Sequence, residues 1–217
     1  MRPYLSEFLG AFFLVFTFLS TSVAPPELAA FAVAAVVVAA VWAGAHLSGG
    51  HFNPAVTLAT YLRHQLSLAD LWSYWAAQLA GAFAAALLTM TAFPRLPDAV
   101  DVTGGAVVPA LLVEFLFTFA IVYVVLSTRV SPFQEQNVLY GVAVGVVVLV
   151  GSLTVRGVSG AAFNPAVAFG MTVDGGFGWP GIWVYLVAET AGAVAAAAVA
   201  PSAAPAIPAV RRSPQPR

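Results

Sequence analysis

The most regular residues with chemical potential in this sequence are two copies of one tripeptide, Asn-Pro-Ala. Asparagine is a good helix N-cap and proline suits the first helical position, so each copy can begin a helix. If the two helix ends meet, the asparagine amides can donate hydrogen bonds to a passing solute, and the positive ends of the helix dipoles oppose cations. We expect the site where the two helix ends meet to consist of Asn53, Pro54, Ala55, Asn164, Pro165 and Ala166.

Two glutamates, Glu7 and Glu114, stand within long apolar stretches, one before each tripeptide. A charge in such a stretch is costly and usually faces the interior of a helix bundle. Each glutamate could relay protons in a transporter, or it could accept hydrogen bonds from N–H groups that a non-helical loop leaves unpaired. Glu189 lies in the last apolar stretch with no counterpart in the other half, and its role stays open.

The three histidines do not predict a metal site. His46 and His51 flank a Gly-Gly turn, and His64 is the only other histidine in the chain. The absence of cysteine excludes disulfides and thiolate ligands. No nucleophile–base pair, phosphate-binding loop or zinc signature is present either. We therefore predict neither an enzyme nor a cofactor.

The composition indicates that lipid is the main solvent of this chain. Of the 217 residues, 61% are hydrophobic and only 8% are charged, whereas a soluble domain carries about 25% charged residues. A net charge of −1 provides no basic face for nucleic acid. We expect the lipid bilayer as a partner and no nucleic acid.

Six apolar stretches have about the 20 residues that a helix needs to cross the hydrocarbon core of a bilayer. Two shorter pieces, 53–61 and 164–172, would reach only about half-way across. No alternating segments typical of a membrane barrel occur. The sequence therefore predicts an all-α membrane protein with six transmembrane helices and two re-entrant half-helices. The predicted spans are 5–24, 28–45, 69–92, 107–127, 137–155 and 180–200.

The chain divides into two related halves, residues 1–98 and 99–200, and a tail of residues 201–217 that we expect to be disordered. Three spans per half make this an inverted repeat, and a pathway is expected at the interface of the halves. Cytoplasmic N- and C-termini would place six of the eight arginines inside, as the positive-inside tendency requires. We expect a multi-pass protein of the cell membrane.

The residues around both tripeptides carry a family resemblance. The run Ser-Gly-Gly-His-Phe-Asn-Pro-Ala-Val at 48–56 resembles the first signature of the aquaporin (major intrinsic protein) family, and Phe-Asn-Pro-Ala at 163–166 resembles the second. The resemblance extends over about residues 4–200 and includes Glu7 and Glu114. It implies an aquaporin-like fold, a homotetramer with one pore per subunit, a loop-supporting role for both glutamates, and a place for His46 at the cytoplasmic mouth.

The sequence departs from the family pattern directly after the second tripeptide, where Val167 stands in place of the usual arginine. Counting back from the two asparagines places the other constriction positions at Val33, Ser152 and Ala161. Loss of the arginine removes a fixed charge and its forked donors. Arg156 either reaches the external vestibule and replaces that charge, or lies in solvent or among lipid headgroups.

These features predict a passive channel for small neutral solutes. A filter of small and aliphatic side chains should favour glycerol-like polyols, or uncharged metalloid or organic acids, over strict water selectivity. Two other functions stay open. One is a proton-coupled secondary transporter, since inverted repeats also build transporters, and the other is a non-conducting structural protein of the membrane.

Overall fold

The computed structural model describes residues 2–93, 100, 102–129 and 139–201. These residues are mainly helical, and their only β-structure is an isolated bridge between Val100 and Phe177. Six of their helices are long and apolar enough to cross a membrane, which confirms the predicted fold class. The helices are α1 (Arg2–Ser20), α2 (Pro26–Ser48), α3 (Pro54–Leu62), α4 (Leu68–Ala92), α5 (Val107–Arg129), α6 (Leu139–Ser159), α7 (Pro165–Asp174) and α8 (Ile182–Val199).

The two short helices, α3 and α7, begin at the prolines of the two tripeptides and contain nine and ten residues. At 1.5 Å per residue, each reaches about half-way through a bilayer. Their bounds differ from the predicted 53–61 and 164–172 by one or two residues. The chain enters both helices through an extended asparagine. The backbone N–H groups of the loop before each helix therefore need hydrogen-bond partners elsewhere in the molecule. The predicted tail, apart from Pro201, lies outside the described residues.

Helix α6 continues further than the predicted end at residue 155. It stops at Ser159 because Gly160 adopts a left-handed conformation (φ 87°) and its N–H bonds to the Arg156 carbonyl at 2.8 Å. Helix α2 ends in the same way at Gly49 (φ 86°), whose N–H bonds to the Ala45 carbonyl at 2.8 Å. Arg156 is therefore helical, and its side chain leaves from the last turn of a spanning helix.

The helices pack in two matching sets. Helix α1 packs chiefly on α4, as α5 packs on α8, and α2 contacts α6 where the two halves meet. Each half-helix packs on the last helix of the opposite half, α7 on α4 and α3 on α8. Each half thus completes the other, and the two tripeptides are held at the interface between them.

Glycine allows the closest of these approaches. A Cβ atom on Gly81 of α4 would lie 2.4 Å from the Phe8 carbonyl oxygen of α1. A Cβ atom on Gly192 of α8 would lie 2.7 Å from the Phe115 carbonyl oxygen of α5. Contact of backbone with backbone is how membrane helices gain packing without a hydrophobic driving force. The same contact fixes α1 and α5, which carry Glu7 and Glu114.

Candidate pore

The two tripeptide loops are bound to each other at their tips. The Oδ1 atom of Asn53 caps α3 by accepting from the Ala55 N–H at 2.8 Å, while its Nδ2 donates to the Phe163 carbonyl at 3.0 Å. Asn164 repeats this pattern, with a bond from the Ala166 N–H at 2.9 Å and one to the Phe52 carbonyl at 2.9 Å. A side-chain amide has two N–H groups. The second N–H of each asparagine is not used in these bonds.

An unusual backbone conformation precedes both asparagines. Phe52 and Phe163 have φ angles of 50° and 52°, a left-handed region that residues with a Cβ atom rarely adopt. Ala161 is also left-handed, at 61°. These turns let the Phe52 and Phe163 carbonyls accept from the opposite asparagine. Such strain persists only where the surroundings hold the backbone in place, and it concentrates at functional sites.

A fully buried carboxylate holds each of these loops. Glu7 accepts from the His51 N–H at 2.9 Å and the Phe52 N–H at 2.7 Å, one on each oxygen. Glu114 accepts from the Ala162 N–H at 3.0 Å and the Phe163 N–H at 2.7 Å, again one on each oxygen. An unpaired N–H in a bilayer costs several kcal/mol. This geometry matches the interpretation of both glutamates as acceptors for loop N–H groups.

A serine and a tyrosine complete each loop support, and the sequence reasoning missed them. Ser48 donates to Glu7 at 2.6 Å and its carbonyl accepts from the Tyr74 hydroxyl at 3.0 Å. In the second half Ser159 donates to Glu114, and its carbonyl accepts from the Tyr185 hydroxyl at 2.5 Å. Each tyrosine follows its serine by 26 residues. That equal offset is a signal that a comparison of the two halves could have found.

Glu189 does have a counterpart, and the expectation that it has none was wrong. It lies 25 residues after Asn164 and accepts from the Asn164 N–H at 2.8 Å. Gln78 has the same offset from Asn53. The Gln78 amide donates to Glu7 at 2.7 Å and to Thr57 at 2.9 Å. The two halves therefore differ here by one amide in place of one acid, and both side chains are fully buried.

A cavity lies between the halves and is bordered by both asparagines. Its wall is mostly aliphatic, with contributions from α1, α2, α5, α6 and the two tripeptide loops. His51 and Tyr140 are its other polar lining side chains. The aliphatic and aromatic lining includes Leu14, Phe18, Val33, Val37, Val41, Val56, Ile121, Val125, Val144, Val148 and Val167.

Three of the four predicted constriction residues, Val33, Ala161 and Val167, line this cavity together. From α6 the lining residues are Tyr140, Val144 and Val148, and Val148 lies one turn before the predicted Ser152. Ser152 is buried, and its hydroxyl has no hydrogen-bond partner among the described residues. Its place in a constriction stays a prediction.

The histidine at the cavity is His51, whose Nδ1 lies 3.1 Å from the Thr57 hydroxyl. His46, in the last turn of α2, is exposed and does not line the cavity. Its role at the cytoplasmic mouth stays a prediction.

Near the C-terminal ends of α1 and α6, the Arg156 guanidinium lies over the ring of Phe18, 5.3 Å from its centroid. Phe18 is a lining residue of the cavity. The Nη1 atom of Arg156 is buried and has no hydrogen-bond partner within the described part of the chain. A cation over an aromatic face is attracted by the ring quadrupole, so Phe18 holds the guanidinium close to the cavity.

The chain was compared with known proteins. The family model described as Major intrinsic protein matches residues 1–200. Aquaporin TIP1-2 of Zea mays is 37% identical over 69% of this chain, and the glycerol uptake facilitator protein-like 6 of Lactiplantibacillus plantarum is 33% identical over 91%. The match spans 59% of the maize protein and 95% of the bacterial one. The aquaglyceroporin from Plasmodium falciparum shares the fold, with a TM-score of 0.74, 22% identity, and coverage of 91% of this chain and 93% of that one.

Proposed function

This chain belongs to the major intrinsic protein family, and on that premise we propose that it is a passive channel for small uncharged solutes that are bulkier and less polar than water. Glycerol-like polyols and uncharged metalloid or organic acids have these properties. The family consists of membrane channels, so the chain is not an enzyme. The observation that carries the proposal is that Val33, Ala161 and Val167 are small or aliphatic and line the cavity wall. We propose that these three side chains form an aliphatic ring around the pathway.

The ring favours such solutes because its side chains offer contact area but no hydrogen bonds. A water molecule that passes aliphatic side chains gives up hydrogen bonds with little in exchange, and an unmade hydrogen bond costs about 1–3 kcal/mol. A polyol loses bonds as well, but its carbon atoms gain dispersion contacts with the valines. An arginine at position 167 would add donors and occupy the lumen, whereas Val167 leaves that space open.

The two asparagines are proposed to form the barrier to protons and other cations. Each asparagine donates to a carbonyl of the opposite loop, which brings the two amides into one short region. The N-termini of α3 and α7 add positive partial charge there. A water oxygen oriented by these donors cannot also accept a proton from a neighbouring water, so a proton wire is broken at this level. The carboxylates of Glu7 and Glu114 hold the loops that carry the donors, which favours a channel over a proton relay.

The remaining proposals concern assembly and orientation. The family resemblance implies a homotetramer with one pore per subunit in the cell membrane. The arginine distribution supports cytoplasmic N- and C-termini. Several of the arginines that set this bias, Arg95, Arg211, Arg212 and Arg217, lie outside the described residues.

The test is stopped-flow light scattering on proteoliposomes, with water, glycerol and a weak acid as separate solutes. The parent protein should pass glycerol faster than empty liposomes do. Val167→Arg should lower the glycerol permeation rate, relative to that of water, by about tenfold or more. A single methylene already changes discrimination about tenfold in a tight site, and arginine is larger than valine by more than that. Thr154→Arg would add a charge at an exposed position outside the cavity wall and serves as the control. Equal glycerol-to-water ratios in the parent and Val167→Arg would refute the role of the ring.

A further inference from the structure

The structure contains a second polar feature at the pore that the aliphatic ring does not explain. On α6, Tyr140, Val144 and Val148 line the cavity at steps of one helical turn. The next positions on this stripe are Ser152 and Arg156, because residues four apart lie on one face of a helix. The stripe therefore changes from aliphatic to polar as it leaves the cavity, at the end where Phe18 stands.

One polar atom of each of these residues has no protein partner within the described part of the chain. The Ser152 hydroxyl and the Arg156 Nη1 atom are buried, and neither has a hydrogen-bond partner among the described residues. Buried donors are almost always paired with protein or with water. A guanidinium has five N–H donors and no acceptor. The two side chains, one helical turn apart, thus have donors, and through the serine one acceptor, that are free to bind a solute.

The position of the Arg156 guanidinium follows from the helices on either side. Helix α2 packs on both α1 and α6 and so lies between them in the ring around the cavity. The contact between Arg156 on α6 and Phe18 on α1 bridges these two helices. Phe18 lines the cavity. Its contact with Arg156 therefore brings the guanidinium next to the cavity, at the C-terminal ends of α1 and α6. An arginine suits this position because it stacks on an aromatic face while its edge donors stay available.

We infer that Ser152, Arg156 and Phe18 form an outer subsite of the pore, which binds the oxygen atoms of a neutral solute and excludes cations. The inference rests on the proposed channel function and deepens it. The positive charge that is missing at Val167 is supplied from α6, one layer further out. Phe18 contacts the carbon side of a polyol or an undissociated acid, and Arg156 and Ser152 bond to its hydroxyl or carbonyl oxygens. The aliphatic ring behind this subsite can then be wide without admitting cations.

The absence of cysteine from the natural sequence allows a direct test. Arg156→Cys removes the charge, and a methanethiosulfonate reagent can restore it as a trimethylammonium adduct or leave it neutral as a methyl adduct. The matched control is Thr154→Cys, two residues away on the exposed side of the same helix. Sodium influx into proteoliposomes, measured with an entrapped dye, and glycerol influx are recorded for each protein with and without reagent on both sides.

We expect Arg156→Cys to pass glycerol and to raise sodium influx about fivefold or more, the factor that one unit charge at contact distance produces even at the dielectric constant of water. The trimethylammonium adduct should return sodium influx to the parent level, and the methyl adduct should not. Thr154→Cys should behave like the parent in every condition. Arg156→Lys should keep sodium influx low but change the glycerol rate, because it retains the charge and loses the forked donors.

Three results overturn the inference. If Arg156→Cys passes glycerol and keeps sodium influx at the parent level, the arginine is not the cation barrier, although the proposed channel function stands. If Arg156→Lys leaks sodium as Arg156→Cys does, the charge is not what excludes cations. If the parent itself passes no glycerol above empty liposomes, the proposed function fails and the outer subsite fails with it.

Discussion

Replacing Glu114 or Glu189 by glutamine should change the stability by very different amounts, although both side chains are fully buried. The two oxygens of Glu114 accept one loop N–H each, from Ala162 and Phe163. A glutamine has only one oxygen. In Glu114→Gln, one of these N–H groups therefore loses its acceptor and faces an NH₂ group instead.

The magnitude follows from that one lost bond. A buried donor left without an acceptor costs about 1–3 kcal/mol, and two donors in contact add to the cost, so we expect Glu114→Gln to lower the free energy of unfolding by about 3 kcal/mol. Glu189 uses Oε1 for the Asn164 N–H, while its Oε2 has no hydrogen-bond partner among the described residues. Glu189→Gln keeps the first bond and replaces Oε2 by an NH₂ group. Gln78, the equivalent residue of the other half, already carries such an NH₂ group and donates it to Glu7. We expect a smaller loss than in Glu114→Gln, because no buried N–H group loses its acceptor.

Equilibrium unfolding in mixed detergent micelles, followed by the fluorescence of the five tryptophans, measures both variants against the parent. Glycerol flux from the same preparations reports whether the second loop still holds Asn164 in place. Equal stability of Glu114→Gln and Glu189→Gln would refute the reasoning, since it would mean that the loop N–H groups do not depend on the Glu114 carboxylate. A large loss in Glu189→Gln alone would refute the correspondence with Gln78.

Two further changes test other parts of the fold. Gly192→Ala should lower the free energy of unfolding by about 1–3 kcal/mol, because its Cβ would lie 2.7 Å from the Phe115 carbonyl oxygen. Gly157→Ala is the control: its Cβ would have no neighbour within 4 Å, and it should be as stable as the parent in the same unfolding assay. Asn53→Ala should remove the cap of α3 and the bond to the Phe163 carbonyl, for a loss of about 1–2 kcal/mol, and it should raise proton influx measured with a pH-sensitive dye. Unchanged proton influx in folded Asn53→Ala would count against the asparagines as the barrier.

The sequence predicted most of what depends on local patterns. The spans followed from apolar length, and α3 and α7 followed from the two tripeptides because capping and proline placement are local rules. What escaped prediction depends on contacts between distant segments. Gln78, Tyr74 and Tyr185 belong to no local motif, and their roles follow only from the packing of α4 and α8 beside the loops. The end of α6 was set too early because its last turn is less apolar, whereas the actual stop is the left-handed Gly160.

The near-symmetry of the two halves indicates which residues can make the two entrances of the pore differ in selectivity. Val56 and Val167 both follow their tripeptides directly and both line the cavity, so the half-helices themselves present the same surface to a solute from either side. The differences lie in the loops and the spanning helices. His51 occupies the position of Ala162, and Arg156 occupies the position of Ala45 at the same offset from its asparagine. A solute that enters from the Arg156 side would therefore meet a fixed charge first, and one from the other side would meet an imidazole. Passive flux must balance at equilibrium whatever the asymmetry, so these residues can set which solutes enter but cannot drive them.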